Sequence, residues 1–365
     1  MRAAVLRGVG EPLSVEEVEL AAPGDGEVLV RIEASGVCHS DWNVIAGVTP
    51  NPLPVVLGHE GAGVVEEVGA GVASVAPGDH VVLSWLPGCG HCALCREGRP
   101  NLCETSFPAM LEGTLPDGTT RLSQNGDALY HYSFLSTFAE RCVVPEVSCV
   151  KIRPDASLDV AALVGCAVMT GVGAAINRAR VEPGSSVVVF GAGGVGLSAV
   201  LGSKLGGART IVAVDPVPLK RELALELGAT HAVDPAEEDA VEAVRGITDS
   251  RGADYAFEAA GIPALVTQAY DAVRRGGTIV SIGIAPEGAE IALPAPRLPR
   301  EEKIVTGSFY GSCRPHTDMP RVLDLYMDGR LDLDRLVSRT YGLDEINEAF
   351  AAMNAGEVAR AVIRP

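Results

Sequence analysis

The sequence predicts an α/β protein of two domains: an irregular all-β domain and a domain built on a doubly wound parallel sheet. The chain has 365 residues, more than the ~250–300 at which a single hydrophobic core usually stops growing. Up to about residue 150, short β-rich runs alternate with turns such as Pro23–Gly26. From about 185 to 285, strands alternate with helices, which is typical of a parallel sheet covered by helices on both faces.

The domain boundaries follow from where this pattern changes. We assign residues 1–167 and 311–365 to the first domain and residues 168–310 to the second. The returning C-terminal segment carries two predicted amphipathic helices, Met319–Asp328 and Leu343–Ala355.

Composition and charge exclude several classes of protein. With 47% hydrophobic and 21% charged residues, the chain has an ordinary globular composition. The net charge of −18 disfavours nucleic acid and anionic membranes as partners. Met1–Glu11 carries Arg2 and Arg7 and lacks the apolar run of a secretory signal, so we expect a cytoplasmic protein. The uncharged stretches Val160–Asn177 and Gly184–Ser203 are rich in glycine, and we interpret them as buried elements of a soluble core.

A glycine-rich turn opens the second domain. The strand Ser186–Phe190 runs into a G-x-G-x-x-G motif that predicts the phosphate-binding turn of a dinucleotide fold. Its glycines would permit a tight turn, close approach of a pyrophosphate and close packing of helix on strand. Glycines also mark plain turns, so the motif alone is weak evidence. The predicted cofactor-binding residues here are Gly191, Gly193, Gly194, Val195 and Gly196.

An aspartate at the end of the next strand strengthens this interpretation. Asp215 follows Gly196 by 19 residues, where the second strand of such a fold presents a carboxylate to the adenosine ribose. The carboxylate would repel a 2′-phosphate, which favours NAD over NADP. The simpler alternative is a turn aspartate before Pro216. Lys220 would flank the same ribose or carry a solvated helix charge.

Four of the nine cysteines lie within one short segment. The thiols of Cys89, Cys92, Cys95 and Cys103 provide four soft ligands, which close a tetrahedral shell and predict a structural zinc site. A second set, Cys38, His59 and Cys166, would leave a zinc with an open fourth position, as catalytic sites require. Considered singly, Cys166 is typical of a small core residue and His59 of a histidine in a turn. Their spacing alone therefore does not predict a common metal site.

Five motifs together resemble the zinc-dependent medium-chain alcohol dehydrogenases. They are, in order, Gly36–Asp41, Gly58–Gly63, Cys89–Cys103, Gly165-Cys166 and Gly191–Gly196. The resemblance spans nearly the whole chain. It implies a GroES-like catalytic domain and a Rossmann domain, with an alcohol or aldehyde as substrate, NAD as cofactor and two zinc ions per chain.

The resemblance also implies roles for individual residues. Cys38, His59 and Cys166 would hold the catalytic zinc, and the neighbouring Glu60 would ligate it transiently or stand behind the ligands. Asp41 would accept the second ring N–H of His59. Ser40 would contact the alcohol oxygen and carry its proton away while the hydride passes to the nicotinamide ring.

The resemblance implies further cofactor contacts. His39 and Arg360 would face the pyrophosphate, and the backbone near Ile282 and Ile284 would orient the nicotinamide. In many relatives a histidine relays the proton where this chain has Asn43, which cannot act as a base. Proton release would therefore use water, His39 or direct solvent access.

The substrate pocket inferred from the resemblance is largely apolar. This predicts a medium-chain or aromatic primary alcohol in preference to ethanol, although a lone tryptophan often serves only core packing. In the branch that oxidises the formaldehyde adduct of glutathione, an arginine and an acidic residue stand in place of two of these residues, Phe107 and Thr49, so that reaction is disfavoured. The implied lining residues are Thr49, Trp85, Phe107, Tyr132, Ser133, Ile284 and Phe309.

Three alternatives stay open. The segments 215–224 and 307–315 resemble an actinobacterial sub-group that includes nicotinoprotein enzymes, which retain NAD(H) and use an external electron acceptor. A non-enzymatic, zinc-stabilised NAD-binding scaffold is a second alternative. A zinc-free reductase of the same superfamily is a third, and the intact ligand sets oppose it.

The segment Glu104–Ser136 resembles that of dimeric members of the family, so we expect a homodimer.

Overall fold

The computed structural model describes residues 1–365, and the chain forms two compact units. The first comprises Met1–Cys166, Arg314–Gly329 and Val337–Pro365; the second comprises Ala167–Cys313 and Arg330–Leu336. The predicted boundaries at 167/168 and 310/311 lie close to these. The short segment Arg330–Leu336, which was predicted to belong to the first domain, is grouped with the second unit instead.

The N-terminal part of the first unit is mostly β-structure. Its helices are short: α1 (His39–Ile45), α2 (Ala93–Arg96), α3 (Ser106–Met110) and α4 (Leu158–Leu163). Its strands are β1 (Arg2–Leu6), β2 (Ser14–Glu17), β3 (Glu19–Leu20), β4 (Glu27–Gly36), β5 (Val55–Val56), β6 (Gly61–Val68), β7 (His80–Leu83), β8 (Leu122–Gln124), β9 (Asp127–His131), β10 (Arg141–Pro145) and β11 (Cys149–Lys151).

The second unit alternates strands and helices as predicted. Its elements are α5 (Met169–Gly173), β12 (Ser186–Phe190), α6 (Gly194–Leu205), β13 (Thr210–Val214), α7 (Pro218–Leu227), β14 (His231–Val233), α8 (Ala240–Ile247), β15 (Ala253–Glu258), α9 (Pro263–Ala272), β16 (Val273–Ser281), α10 (Arg297–Glu301) and β17 (Ile304–Gly307). The strands form one parallel sheet in the order β14-β13-β12-β15-β16-β17, which confirms the doubly wound architecture.

The chain then returns to the first unit through α11 (Pro315–Met327), β18 (Val337–Gly342), α12 (Ile346–Asn354) and β19 (Arg360–Arg364). The helix predicted from Met319 begins at Pro315, because proline favours the first turn of a helix, where its missing N–H costs nothing. Shorter 3₁₀ and π segments occupy Pro100–Leu102, Glu146–Ser148, Val164–Val168, Ala174–Ala179, Tyr310–Ser312, Asp334–Leu336 and Leu343–Glu345.

Two sheets make up the first unit. One has the order β2-β1-β5-β9-β8-β3, and the other has the order β11-β7-β6-β4-β19-β18 with β10 also paired to β4. The antiparallel pairing of β4 with β6 places Ser35 opposite Gly61. The end of one strand therefore lies beside the start of the other, which brings the segments that follow and precede them, Cys38 and His59, into the same region.

Gly58 shows why the chain must turn sharply before His59. Its φ is +94°, a conformation that L-residues rarely adopt. A Cβ at this position would lie 2.5 Å from the backbone nitrogen of Phe138 and 2.7 Å from the hydroxyl of Thr137. Only glycine fits, so the motif glycine sets the direction from which the imidazole enters the core.

One helical segment, Leu158–Ala179, is long and apolar enough to cross a membrane by length and composition, with a mean hydropathy of 1.8. Its most apolar window is 83% buried within the protein. Burial of this kind is typical of the core helix of a soluble protein, which agrees with the interpretation of Val160–Asn177 as a buried element.

Candidate active site and metal centres

A buried cluster of four potential ligands lies in the first unit. The ligand atoms of Cys38, His59, Glu60 and Cys166 all lie within 4.8 Å of one another, and all four residues are buried. They come from the end of β4, the loop before β6 and the π segment that follows α4. The structure thus brings together the three ligands implied by the resemblance and Glu60, the carboxylate implied to ligate the metal transiently or to stand behind its ligands.

The donor set fits zinc. Two thiols and one imidazole are ligands that Zn²⁺ prefers, and bonds of about 2.0–2.3 Å place neighbouring donors of a tetrahedral site less than about 4 Å apart. Hydrogen bonds with Cys166 and His59 hold the pKa of the Cys38 thiol well below its usual range, although burial opposes this. The thiolate is the form that binds a metal. The fourth member is the carboxylate of Glu60. The cluster therefore differs from a closed site of four thiolates.

The imidazole of His59 is oriented by Asp41. Asp41 is fully buried at the start of α1, and its Oδ1 accepts a hydrogen bond from the backbone N–H of Gly58 at 3.0 Å. The same oxygen lies 3.1 Å from Nδ1 of His59. A proton on Nδ1 leaves Nε2 as the lone-pair nitrogen facing the cluster, where it lies 4.0 Å from Oε1 of Glu60.

Glu60 forms a buried ion pair with Arg360. Its Oε2 accepts a hydrogen bond of 2.5 Å from Nη2 of Arg360, while its Oε1 has no hydrogen-bond partner. Burial raises the pKa of Glu60 to about 8, against the attraction of the guanidinium. Arg360 was predicted to contact a cofactor phosphate; the structure gives it Glu60 as partner, and the phosphate contact stays a prediction.

The residues implied in proton transfer lie on α1. The Ser40 hydroxyl is 3.8 Å from the Cys38 sulfur, so it lies at the edge of the cluster. His39 is exposed on the same turn, whereas Asn43 is half-buried. The backbone carbonyl of Asn43 accepts hydrogen bonds from the N–H groups of Val48 and Thr49. The structure therefore brings Ser40 to the cluster, and the route beyond it stays a prediction.

Two aromatic side chains flank the metal-binding imidazole. The ring of Trp85 meets His59 edge-on at 6.3 Å between centroids, and Tyr132 does so at 5.6 Å. Among the other implied pocket residues of this unit, Ser133 is buried, Thr49 is half-buried, and Phe107 on α3 is 42% exposed.

The remaining implied pocket residues, Ile284 and Phe309, belong to the second unit. Ile284 is 71% exposed, whereas Phe309 is half-buried.

The cysteine lobe forms a second, separate cluster in the first unit. The sulfurs of Cys89, Cys92, Cys95 and Cys103 lie within 4.8 Å of one another. Backbone N–H groups point at them: that of Cys92 lies 3.3 Å from the sulfur of Cys89, and that of Ser106 lies 3.3 Å from the sulfur of Cys103. Four converging thiols with N–H donors fit a closed structural zinc site.

The glycine-rich turn has the geometry of a phosphate-binding turn. Gly191 has a φ of +87°, and a Cβ on Gly196 would lie 1.8 Å from the carbonyl oxygen of Gly191. A Cβ on Gly193 would meet nothing within 4 Å, so open space lies beside the N-terminus of α6. Helix α6 begins at Gly194, within the glycine-rich motif. This open N-terminus fits a pyrophosphate.

Asp215 supports the same turn from the end of β13. It is buried, and its carboxylate accepts hydrogen bonds from the backbone N–H groups of Ala192 at 2.8 Å and Val217 at 2.9 Å. Lys220 lies half-buried in the first turn of α7. The carboxylate keeps lone pairs for a ribose hydroxyl, and that contact stays a prediction.

Sequence reasoning missed Glu258, which shapes the loop after β15. Its buried Oε1 accepts hydrogen bonds from three successive backbone N–H groups, those of Ala260, Gly261 and Ile262, at 2.7–3.2 Å. Its backbone carbonyl accepts from Ile282 and Gly283. The only signal in the sequence was an acidic residue ending a predicted strand before a glycine turn. Glu258 fixes the edge where Ile282 was expected to meet the nicotinamide.

This fold, a two-thiol metal centre and a dinucleotide turn define a zinc-binding dehydrogenase. Residues 24–154 match the model of the alcohol dehydrogenase GroES-like domain, and residues 194–328 match that of the zinc-binding dehydrogenase family. The chain therefore belongs to the zinc-dependent medium-chain alcohol dehydrogenases and is an NAD-dependent enzyme of that family.

Individual relatives cover the chain from end to end. It is 42% identical to an S-(hydroxymethyl)glutathione dehydrogenase of Paracoccus denitrificans, over 99% of each chain. It is 43% identical to an NDMA-dependent alcohol dehydrogenase of Amycolatopsis methanolica, over 99% of this chain and 98% of the other. The solved benzyl alcohol dehydrogenase of Acinetobacter calcoaceticus superposes with a TM-score of 0.95 at 36% identity, covering 100% of this chain and 98% of the other.

Proposed function

We propose that the enzyme interconverts medium-chain or aromatic primary alcohols and their aldehydes. The observation that carries this proposal is the pair of aromatic side chains, Trp85 and Tyr132, set edge-on to the imidazole of His59 at 6.3 and 5.6 Å between ring centroids. Two aromatic walls favour a planar or extended apolar group, whereas the two carbons of ethanol would leave much of them uncovered. The similarity to a benzyl alcohol dehydrogenase supports the same substrate class.

The residues of the first unit have distinct roles in this proposal. Cys38, His59 and Cys166 would hold the catalytic zinc, and Asp41 fixes the tautomer that presents Nε2 of His59. When bound, zinc supplies Lewis-acid polarisation of the substrate oxygen, and the nicotinamide cofactor exchanges the hydride. The Ser40 hydroxyl accepts the proton from the alcohol oxygen and passes it to water, to His39 or directly to solvent.

Two zinc ions per chain follow from the two ligand clusters. The cluster around Cys38 would hold the catalytic ion, and the four-cysteine lobe the structural one. Metal analysis of the purified protein should give about two zinc ions per chain. A content of one ion, with no activity, would favour the scaffold alternative.

The similarity to an NDMA-dependent enzyme favours a second candidate in which NAD(H) stays bound through turnover. In that case an external acceptor would regenerate the cofactor on the protein. Oxidation of the formaldehyde adduct of glutathione is the activity in the names of several relatives. We consider it disfavoured here, because Phe107 is apolar and Thr49 uncharged where that branch uses charged residues to grip the adduct.

A substrate panel tests these proposals together. Rates for ethanol, hexanol, benzyl alcohol and S-(hydroxymethyl)glutathione are measured with added NAD, and with an artificial acceptor in the absence of NAD. We expect kcat/KM for benzyl alcohol or hexanol to exceed that for ethanol at least tenfold. A higher kcat/KM for ethanol would overturn the substrate proposal. Turnover with the acceptor alone would establish the retained cofactor.

We also propose a cytoplasmic homodimer. None of the nine cysteines forms a disulfide, which fits a reducing compartment. The edge strand β17 of the second unit exposes Ile304 by 55%, and an unpaired edge of this kind suits pairing with a second copy. Light scattering of the purified protein should give twice the chain mass of 37.8 kDa.

A further inference from the structure

The loop after β9 adopts an unusual backbone next to the metal cluster. Ser133, Phe134 and Ser136 have φ values of 52°, 63° and 60°, in the left-handed region that non-glycine residues seldom occupy. Three such residues within four positions persist only where the surrounding structure enforces them. The conformation of this loop is therefore set by what packs around it.

Packing and hydrogen bonds hold this loop in place. Phe134 and Leu135 are fully buried in separate apolar clusters of the first unit. The backbone N–H of Tyr132 donates to the hydroxyl of Ser136 at 3.1 Å, which closes the loop on itself. The backbone N–H of Thr137 donates to the carbonyl of Gly58, the residue before the metal-binding histidine. The loop is therefore fixed directly against the metal-binding segment.

The fixed loop presents Tyr132 to two parts of the site at once. The Tyr132 hydroxyl donates a hydrogen bond of 3.3 Å to the backbone carbonyl of Ser40. Its ring meets the imidazole of His59 edge-on, at an interplanar angle of 83°. Tyr132 is not itself a potential metal ligand, because its hydroxyl is committed to the first turn of α1.

We propose that Tyr132 is a positioning residue that, through its hydrogen bond to the Ser40 carbonyl, holds the Ser40 hydroxyl in register for proton transfer. The inference rests on the proposed role of Ser40 as proton carrier. Helix α1 has only seven residues, and Cys38, its N-cap, makes no side-chain capping bond. Cys38 and Asp41 are held by the cluster on either side of Ser40, and the bond from Tyr132 fixes the carbonyl between them. A shift of this backbone would move the Ser40 hydroxyl away from the substrate oxygen.

The variant Tyr132→Phe removes this hydrogen bond and keeps the ring against His59. We expect kcat to fall about tenfold, the effect of losing one well-placed hydrogen bond, with little change in KM for benzyl alcohol. Because proton transfer becomes slower, the solvent deuterium isotope effect on kcat should grow and the pH profile of kcat should shift. Zinc content should stay the same. Tyr130, a half-buried tyrosine two residues earlier, provides the matched control: Tyr130→Phe should leave all five quantities unchanged.

A double-mutant cycle with Ser40→Ala separates this inference from the proposed function. If Tyr132 acts through Ser40, Tyr132→Phe should have little further effect in the Ser40→Ala background. An equal fold-loss in both backgrounds would overturn the positioning role while leaving Ser40 as proton carrier. Wild-type kcat and isotope effect in Tyr132→Phe, beside an impaired Ser40→Ala, would overturn it as well. Full activity of Ser40→Ala would instead refute the role of Ser40 itself, and the inference with it.

Discussion

The two clusters both offer cysteine thiols to a metal ion, but they differ in where their members lie in the chain and in how deeply these are buried. The lobe cluster takes all four ligands from residues 89–103, and three of its cysteines are only half-buried. The cluster around Cys38 collects its members from residues 38, 59, 60 and 166, and all four are buried. The lobe offers four like ligands and no further position, whereas the buried cluster combines two thiols with an imidazole and a carboxylate.

This difference separates stabilisation from catalysis. A cluster made from one short loop orders that loop when it binds its ion, so its binding energy is folding energy. A cluster made from distant segments can form only after the sheets have paired, so the fold supplies the order beforehand. The buried centre can therefore leave one coordination position of its metal open to substrate at little cost to the stability of the fold. Substitutions in the buried cluster should therefore lower mainly activity, and substitutions in the lobe should lower mainly stability.

The largest expected effect is the loss of turnover when a buried ligand is removed. Cys38→Ser and His59→Ala should each lower kcat at least about a thousandfold, since the metal contributes several kcal/mol to the transition state. Zinc content should fall towards one ion per chain, while the circular dichroism spectrum stays that of the parent. Cys142→Ser makes the same change at a buried cysteine outside both clusters and should keep activity. A folded Cys38→Ser enzyme with the parent rate would refute the assignment of the catalytic centre.

The second effect is a loss of stability when the lobe is opened. Cys95→Ser should lower Tm by about 10 °C or more, because a structural zinc site contributes several kcal/mol to folding. The remaining folded protein should retain much of its kcat when assayed at low temperature. Calorimetry of thermal unfolding measures the change in Tm. His91→Ala, in the same lobe, is the control and should keep the Tm of the parent. If Cys95→Ser instead lost kcat with an unchanged Tm, the two clusters would not differ as proposed.

A smaller effect is confined to the second unit. Asp215→Gly should reduce the ratio of kcat/KM for NAD to that for NADP about tenfold or more, because the variant loses the carboxylate that bonds the ribose and repels a 2′-phosphate. Both individual values should also drop, since Ala192 and Val217 lose their hydrogen-bond acceptor. Asp234→Gly, an aspartate directly after the neighbouring strand β14, is the control. An unchanged ratio would show that another residue discriminates between the cofactors.

The sequence predicted best the features that are local. The glycine-rich turn and the cysteine lobe each lie within a short segment, so their residue types and spacing carry their geometry. The parallel sheet was predictable for the same reason, since each strand-helix pair is a local pattern. The predicted strand Ser186–Phe190 agrees with β12, and Asp215 directly follows β13, at the strand end where it is expected.

The sequence could not join residues that only the fold brings together. Cys166 lies in an apolar run, and without the family resemblance nothing in its spacing connects it to Cys38. The pairing of Glu60 with Arg360 spans 300 positions and depends on how β19 lies beside β4. The backbone capping by Glu258 and the left-handed loop after Tyr132 also lack a local signal, because serine and phenylalanine do not predict positive φ values.

The last expected effect appears only as the pH changes, and it distinguishes a buried histidine of the catalytic unit from an exposed one in the lobe. His131 is fully buried beside Tyr132, and its Nε2 accepts a hydrogen bond from the backbone N–H of Arg121 at 3.2 Å. Burial, assisted by the charge of Arg121, lowers the pKa of His131 to about 3. In the unfolded chain the same ring titrates near ~6.5, so the unfolded state binds more protons between these values. Stability due to this group is therefore present above pH ~6.5 and is lost as the pH falls towards 3.

His131→Gln keeps an acceptor for the Arg121 N–H and removes the titration. Between pH 6.5 and 5 the parent should lose about 2 kcal/mol more unfolding free energy than the variant, since each pH unit corresponds to about 1.4 kcal/mol for one proton. Urea unfolding of both proteins at several pH values measures the difference. His91→Gln changes an exposed histidine of the lobe and should leave the pH dependence as in the parent. Parallel stability curves for the parent and His131→Gln would mean that His131 titrates alike in the folded and the unfolded chain, and burial would then not hold its ring in the neutral form.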